Sequence, residues 1–375
     1  MNRAAAALAA LLALAGCSLQ PPHPEAFAFG VMGDSPYDER EEMQFEAMLA
    51  AAGGEPLAFL VHVGDFKAGS SSRCSDALFE QRRRMLDASA HPFVLTPGDN
   101  DWADCRRRSN GAMDPLERLA RLRSLFYSDA FSLGRARMPL DVQDGCAEPG
   151  AAGCRCPGLP ENRMWIHRGV VFATIHVVGS NDNVGFDAAG DADARCRQAA
   201  NRRWLERAFA LASDGSRRGL VVFAQANPWV SSDRKVYDAL LAQLAEGAKR
   251  LSRPALFVHG DTHGYRVDRP FRDAKGERVG NLTRLETMGS PSVGWVRVTV
   301  DPGDADLYRF EPREWRGADH SAWTTPSSPW GCPWASSSSV AGRTSRTVQA
   351  NQRRSPARGW LPSTTTESPA MSVTE

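Results

Sequence analysis

Residues 92–101 have the sequence PFVLTPGDND, an apolar run that ends abruptly in a polar turn. The apolar part, residues 92–95, predicts a short buried strand. The Pro-Gly pair after it favours a turn. Two carboxylates and an amide follow directly, at the end of a strand, where α/β proteins often carry their chemistry. Alone, Asp and Asn are ordinary turn residues, so the functional interpretation depends on whether the pattern recurs.

The same pattern, an apolar strand ending in polar residues, recurs along the chain. Further strands of this kind are predicted over residues 27–31, 57–63, 220–223 and 255–258. Predicted helices alternate with them, over residues 39–51, 75–88, 192–211 and 233–248. Such alternation predicts an α/β fold with a largely parallel sheet, in which the carboxyl ends of the strands share one edge. The polar residues at these ends are Asp34, Asp65, Asp99, Asn100, Asp101, Gln225, Asn227, His259, Asp261 and His263.

The composition is that of a globular protein. With 375 residues, the chain has room for one large domain or two ordinary ones. The hydrophobic fraction of 42% and the charged fraction of 24% are enough for a full core. A formal net charge of +1 gives no electrostatic reason for binding nucleic acid or an anionic membrane.

The N-terminus has the pattern of an export signal. Arg3 precedes an apolar run at residues 4–15, which is too short to span a bilayer and is typical of a signal peptide. The run ends in Leu-Ala-Gly-Cys, which resembles the lipobox of bacterial lipoproteins. The resemblance implies a signal peptide at 1–16, a lipid anchor on Cys17, a tether at 17–25 and a place in the cell envelope, with Ser18 implying outer-membrane sorting. The alternative is a plain secretory signal.

The eight cysteines are consistent with export, because an oxidising compartment permits disulfides. Cys74 and Cys105 are the favoured pair, since both come just after candidate site loops. Three bridges are possible among six cysteines, the other four being Cys146, Cys154, Cys156 and Cys196. Residues 313–375 are rich in Ser, Thr, Pro and Gly without periodicity and predict a disordered tail. The folded domain is therefore predicted over residues 26–312.

The order and spacing of the polar strand ends resemble the calcineurin-like metallophosphoesterase superfamily. That family has an early Asp, then Gly-Asp, Gly-Asn-His, a lone His before Pro, and Gly-His-x-His, each after a strand. The resemblance covers roughly residues 27–310 and is best kept at residues 63–65, 98–100 and 260–263. It implies a four-layer sandwich: two packed mixed β-sheets flanked by helices, with the site at the carboxyl ends of the strands.

The resemblance also implies a chemistry. Two divalent cations would share Asp65 as a bridging ligand. Asp34 and His263 would bind the first cation, and the side-chain oxygen of Asn100 would bind the second. A hydroxide held between the cations would attack the phosphorus of a small phosphoester in line.

Several family histidines are replaced in this chain. Asp101 and Asp261 stand at two of these positions and are the candidate catalytic residues, and Asp101 would protonate a leaving group only with a raised pKa. Gln225 replaces the lone His and would bind a metal as a neutral oxygen, while His259 is a further candidate ligand. The oxygen-rich set suits Mg²⁺, Mn²⁺ or Ca²⁺ better than Zn²⁺; the resemblance leaves the ion open among Mn, Mg, Fe, Zn and Ca.

Two alternatives remain open on the sequence. The first is a serine esterase, because residues 33–35 and 98–101 resemble the Gly-Asp-Ser and Gly-x-Asn-Asp blocks of the GDSL hydrolases. Ser35 would then be the nucleophile and Asn100 an oxyanion donor. The late Asp261-Thr262-His263 is one residue shorter than the Asp-x-x-His of that family. The second alternative is a non-catalytic surface lipoprotein that keeps the fold and binds metal.

Overall fold

The structure is a computed structural model that describes residues 23–143, 158–230 and 235–316. Within these ranges two mixed β-sheets are flanked by helices, which confirms the predicted α/β architecture. The strands are β1 (Phe27–Met32), β2 (Leu60–His62), β3 (Phe93–Leu95), β4 (Asp141–Gln143), β5 (Leu159–His167), β6 (Val170–Thr174), β7 (Gly219–Phe223), β8 (Ala255–His259), β9 (Arg266–Asp268), β10 (Leu282–Glu286), β11 (Gly294–Val300) and β12 (Tyr308–Glu314). The longer helices are α1 (Glu39–Ala52), α2 (Asp76–Asp87), α3 (Pro115–Phe126), α4 (Ala188–Ala212) and α5 (Lys235–Leu251).

Some predictions lie outside the described residues. They are the signal peptide at 1–16, the lipid anchor on Cys17, the tail beyond residue 316, and the three cysteines at 146, 154 and 156. These stay predictions. In the part of the chain that the structure describes, no helix has the length and apolar character needed to span a membrane.

Each sheet has a parallel centre. The first has the strand order β12-β11-β1-β2-β3, in which β1, β2 and β3 are parallel. The second has the order β4-β5-β6-β7-β8-β10-β9, in which β6, β7, β8 and β10 are parallel. The carboxyl ends of the parallel strands therefore meet at shared edges, as predicted. The strands β4, β9 and β10 were not predicted.

The helices begin where their capping residues predict. Asp38 accepts a hydrogen bond from the backbone N–H of Glu41 and so caps α1. Ser75 caps α2 in the same way. Asp114 accepts from two backbone N–H groups at the start of α3, where Pro115 takes the first helical position. Such caps satisfy N–H groups that have no partner inside the helix.

The layers are held together by three apolar clusters. Between the sheets, aromatic side chains interlock, for example Phe29 of β1 with Phe172 of β6 at a ring-centroid distance of 5.4 Å. On the outer face of the first sheet, α1, α2 and α3 bury Phe45, Phe79 and Leu122. A third cluster packs α4 and α5 on the outer face of the second sheet. The result is the four-layer order helix, sheet, sheet, helix.

Two glycines bring the loops after β2 and β3 into backbone contact. A Cβ atom added at Gly98 would lie 2.0 Å from Asp65 Oδ1 and 2.4 Å from the Asp65 nitrogen. A Cβ at Gly64, whose φ is +94°, would lie 2.5 Å from the Gly98 nitrogen. No other residue fits this contact. It places the carboxylate of Asp65 directly beside the polar residues that follow β3.

We expect Gly98→Ala to destabilise the fold by about 1–3 kcal/mol, because the new methyl group meets backbone atoms that cannot move aside. Denaturant unfolding measures the change. Gly280→Ala is the matched control, since its methyl group would meet nothing within 4 Å. Equal free energies of unfolding for the two variants would contradict the close contact.

Candidate active site

Four carboxylates converge at the strand ends: Asp34 after β1, Asp65 after β2, Asp99 after β3 and Asp261 after β8. The first three are almost fully buried. Asp34 Oδ1 accepts a hydrogen bond of 2.9 Å from the backbone nitrogen of Asp261. A Cβ added at Gly179 would lie 2.7 Å from Asp261 Oδ1 and 2.8 Å from Asp99 Oδ1, so the latter two side chains face the same point.

The backbone at these positions is unusual. Asp34, Asp65, Asp261 and His263 have φ angles of 53°, 59°, 77° and 60°. This left-handed region costs about 1–3 kcal/mol for a residue with a Cβ atom and persists only where the surroundings fix it. Strained residues of this kind cluster at functional sites. Their coincidence with the predicted ligands supports a functional interpretation of this edge.

His263 belongs to the site and has a defined tautomer. Its Nδ1 lies 2.7 Å from the carbonyl oxygen of Ser290, which can only accept, so Nδ1 carries the proton. The lone pair on Nε2 is therefore free to accept, and it faces the Tyr37 hydroxyl at 3.2 Å. Nε2 also lies 3.8 Å from Asp34 Oδ1. The ring is partly exposed, so this side of the site is open to solvent.

Asn100, the predicted ligand of the second cation, directs its side chain to Tyr37. The Asn100 side chain donates to the Tyr37 hydroxyl at 3.1 Å, while its backbone N–H donates to Asp65 Oδ1 at 2.9 Å. Asp99, which was not a predicted ligand, faces Asp261 instead. The signal was present, because Asp99 directly follows Gly98 as the Asn does in the family's Gly-Asn-His.

The Asp101 side chain is bound to the backbone of the loops that carry the site. Its Oδ2 accepts from the backbone nitrogens of Asp65 at 3.0 Å and Gly98 at 2.8 Å, and its Oδ1 accepts from Phe66 at 3.0 Å. Burial raises the pKa of Asp101 to about 7, which an acid would need. Both oxygens nevertheless accept hydrogen bonds from the backbone, so the structure does not place Asp101 as an acid for a leaving group. Its role is to hold the loops after β2 and β3 together.

Gln225 lies at the site, but it presents its amide nitrogen to the carboxylates instead of the predicted oxygen. Its Oε1 accepts from the backbone nitrogen of Gly179 at 2.6 Å. Its Nε2 donates to Asp65 Oδ2 at 3.1 Å and lies 3.4 Å from Asp261 Oδ1. The group facing the carboxylates is thus an N–H donor, whereas the prediction was an oxygen ligand.

His259 is not brought into the carboxylate group. The buried ring packs against Trp229 and Phe257, and Nδ1 lies 2.9 Å from the Gly260 carbonyl oxygen. Burial lowers the pKa of His259 to about 3, so the ring is neutral. Because alternate residues of a strand face opposite sides, the last residue of β8 packs in the core while the residues after it reach the site.

The site concentrates carboxyl groups whose ionisation is unfavourable in the absence of a counter-charge. Burial and the neighbouring carboxylates raise the pKa of Asp34 and of Asp65 well above the usual range. Burial, followed by repulsion from Asp99, raises the pKa of Asp261 to about 7. The buried Lys67 lies nearby, but its ammonium group donates to the carbonyl oxygens of Ala68 and Asn100. An arrangement of this kind favours the binding of a cation.

The donor set fits a divalent cation in its chemistry, although not as a closed cage. Asp34 Oδ2 and Asp99 Oδ1 are buried without a hydrogen-bond partner among the described residues. Carboxylate oxygens with one imidazole suit Mg²⁺, Mn²⁺ or Ca²⁺. Within the described ranges, however, no three His, Cys, Asp or Glu side chains are grouped closely enough to hold a metal ion as they stand. Binding would therefore need side-chain rearrangement.

A left-handed turn lies beside Asp99 and Asp261. Residues 180–183 all have φ angles between 47° and 61°. Ser180 Oγ lies 2.7 Å from Asp99 Oδ2 and 2.8 Å from Asp104 Oδ1. At the other end, Asp182 forms a buried ion pair of 2.6 Å with Arg197 of α4. The turn is thus fixed from both sides and presents the backbone of Gly179 to the carboxylates.

Ser35 is not arranged as a nucleophile. Its hydroxyl donates to the carbonyl oxygen of Gly33 at 3.3 Å. The ring of His62 contacts the carbonyl oxygen of Ser35, at 2.8 Å, rather than the hydroxyl. Nucleophilic catalysis needs a base on the hydroxyl, and this geometry does not provide one.

A disulfide supports the loop after β3. It joins Cys74 to Cys105, the pair that the sequence analysis favoured. Cys74 immediately precedes the cap of α2, and Cys105 lies in a short 3₁₀ turn at Ala103–Arg106. The bridge therefore ties the residues that follow Asp99 to the first sheet's helical layer.

Comparisons with known proteins give fold likenesses only. No family model and no curated protein matches the chain. Similar solved structures include GAP50 of Plasmodium, an anchor in the inner membrane complex, at 10% identity, 78% coverage of this chain, 90% of that chain and a TM-score of 0.45. A dimetal phosphatase from Danio rerio has 12% identity, with 77% of this chain and 95% of that chain covered and a TM-score of 0.44. A 5′-nucleotidase from Candida albicans has 12% identity, with 77% of this chain and 52% of that chain covered and a TM-score of 0.45. This chain therefore spans about half the length of the nucleotidase. At such TM-scores the function has to be argued from the side chains of the site.

We expect Asp101→Asn to lower the free energy of unfolding by roughly 1–3 kcal/mol, because one end of the amide must point an N–H group at a backbone N–H. Chemical denaturation measures the change. Asp114→Asn is the matched control, since Asn and Asp are about equally good at a helix N-cap. A loss as small as that of the control would contradict the structural role of Asp101.

We expect metal-free protein to lose stability as the pH rises from about 4 to about 7. The pKa of Asp261 is about 7 in the fold, against about 3.9 in an unfolded chain. The folded state therefore keeps its proton over a range in which the unfolded state has lost it, and the associated stability disappears as the pH passes through the folded pKa. Melting temperatures in chelator, measured against pH, test this.

The variant Asp99→Asn removes the carboxylate that faces Asp261, so its melting temperature should fall less over the same pH range. Asp141→Asn, at an exposed position, should behave like the unmodified chain. A melting temperature that rises with pH, or an Asp99→Asn slope equal to that of the control, would disagree with this account.

Proposed function

We propose that this chain hydrolyses small phosphoesters with the help of bound divalent cations. The observation that carries the proposal is the convergence of Asp34, Asp65, Asp99 and Asp261 with His263 at the strand ends. Carboxyl groups at this density ionise together only when a counter-charge is bound between them. The order of these residues along the chain also follows the motifs of the metallophosphoesterase resemblance, which implies a pair of cations with Asp65 between them.

The ligands that fit a cation best are Asp34, with its unpartnered oxygen, the adjacent Nε2 of His263, and Asp65. Divalent cations supply such sites with Lewis acidity towards phosphoryl oxygens and with water of lowered pKa. The protein's contribution is to fix the donors. Ser290 fixes the tautomer of His263, and the backbone N–H of Asp261 orients Asp34.

Tyr37 gives the site a neutral proton donor. Burial, followed by repulsion from Asp65, raises the pKa of Tyr37 far above its usual range, so the hydroxyl keeps its proton. Asn100 holds that hydroxyl from one side and His263 Nε2 accepts from it on the other. If His263 Nε2 were bound to a cation, it would no longer accept from Tyr37, and the Tyr37 O–H group would be free to donate to a phosphoryl oxygen. Tyr37 would thereby orient the substrate.

A metal-replacement assay tests the function. The purified chain is stripped with chelator and given Mn²⁺, Mg²⁺, Zn²⁺ or Ca²⁺, with an aryl phosphate, a bis-aryl phosphate or an aryl acetate as substrate. We expect cation-dependent release of aryl alcohol from a phosphate ester. Asp65→Asn should lower kcat/KM at least about 100-fold, because even residues that only support metal ligands typically contribute 10–100-fold. The exposed Asp141→Asn should leave the rate unchanged.

Other outcomes point to the alternatives. Acetate release that ignores metal and disappears in Ser35→Ala would establish the serine esterase and exclude the proposed function. Bound cation without turnover of either phosphate ester would favour the non-catalytic metal-binding protein. Phosphate-ester turnover that survives both chelation and Asp65→Asn would also refute the assignment of this site.

A further inference from the structure

Building on the proposed function, we propose that the site holds one divalent cation, beside Asp34 and His263, and that the Gln225 amide takes the place of a second. The resemblance alone implies a pair of cations bridged by Asp65. The side chains on the two sides of Asp65 are not equivalent in this chain. One side offers lone pairs, and the other offers N–H groups.

The orientation of the Gln225 amide is fixed by its environment. An amide oxygen and nitrogen are assigned from their hydrogen-bond partners rather than seen directly. Here the partner on one end is the backbone N–H of Gly179, at 2.6 Å, which can only donate. Oε1 must therefore face Gly179, and Nε2 must face Asp65 and Asp261. Gln225 is fully buried, so no solvent competes for either end.

The N–H groups of Gln225 satisfy the carboxylates that a second cation would need. Nε2 donates to Asp65 Oδ2 and reaches Asp261 Oδ1. The other oxygen of Asp261 accepts from the backbone nitrogen of Asn227 at 2.9 Å. A cation binds lone pairs, and an N–H group directed at the same position repels it. Asp99 Oδ1 is the unpartnered oxygen left on this side, and one carboxylate oxygen does not make a cation site.

The opposite side of Asp65 has the features of a ligand set. Asp34 Oδ2 is buried and has no partner among the described residues. His263 Nε2 carries a lone pair and lies 3.8 Å from Asp34 Oδ1. The partly exposed ring leaves a route for the ion from solvent. A carboxylate oxygen without a partner and an imidazole nitrogen beside it favour this side for the single cation.

The number of bound cations tests the inference without reference to activity. The full chain is stripped with chelator and dialysed against Mn²⁺, and bound Mn²⁺ is counted by elemental analysis. We expect one Mn²⁺ per chain, with the paramagnetic resonance spectrum of an isolated ion. Gln225→Glu and Gln225→His replace the N–H donors by lone-pair donors and should raise the count to two, with a spin-coupled spectrum. Gln243→Glu, the same change at a residue of α5 that only donates to a carbonyl oxygen, should stay at one.

The outcomes separate this inference from the proposed function. Two spin-coupled Mn²⁺ in the unmodified chain, with cation-dependent phosphoester turnover, would overturn the single-cation inference and leave the function standing. No bound Mn²⁺ in the unmodified chain would overturn the single-cation inference, while the metal-replacement assay with the other cations would still decide the proposed function. Variants that circular dichroism shows to be folded and that still bind one Mn²⁺ would overturn the role of Gln225. If the variants do not fold, the count and the spectrum of the unmodified chain decide the number.

Discussion

The repulsion between buried carboxylates at the strand ends is the constraint on which the rest of the structure depends. Asp34, Asp65, Asp99 and Asp261 cannot be brought together by their own interactions. Backbone N–H groups compensate for part of the charge, from Asp261 to Asp34, from Asn100 to Asp65 and from Asn227 to Asp261. These donors are loop residues that follow strands, so the parallel sheets, by setting where each strand ends, also set where each donor lies.

The strand ends were predictable from the sequence, because an apolar run followed by Gly-Asp is a local signal. The division of the strands between two packed sheets was not predictable from local patterns, since it depends on pairing between segments far apart. It was expected only from the resemblance. The short strands β4 and β9 each have three residues and are too brief to give a periodic signal. They form because longer neighbours, β5 and β10, offer them an edge.

Within the site, residue types were predictable but directions were not. Asp34, Asp65, Asp261 and His263 lie where their motifs indicated. Asp99 and Asn100 are adjacent, and no rule based on composition decides which of two neighbours in a turn faces the site. In the structure the backbone nitrogen of Asn100 donates to Asp65, next to the close contact of Gly64 with Gly98. Directions of this kind are set by contacts across the fold, which a single sequence does not display.

Gln225 shows how one such direction changes the chemistry. A glutamine can offer a cation an oxygen, or it can offer carboxylates an N–H group, and the sequence is the same in both cases. The choice is made by Gly179, whose N–H is oriented by the left-handed turn at residues 180–183. The ion pair of Asp182 with Arg197, in the helical layer, holds that left-handed turn in place. The number of cations that the carboxylates can bind thus depends on an ion pair with α4, which lies outside the carboxylate group.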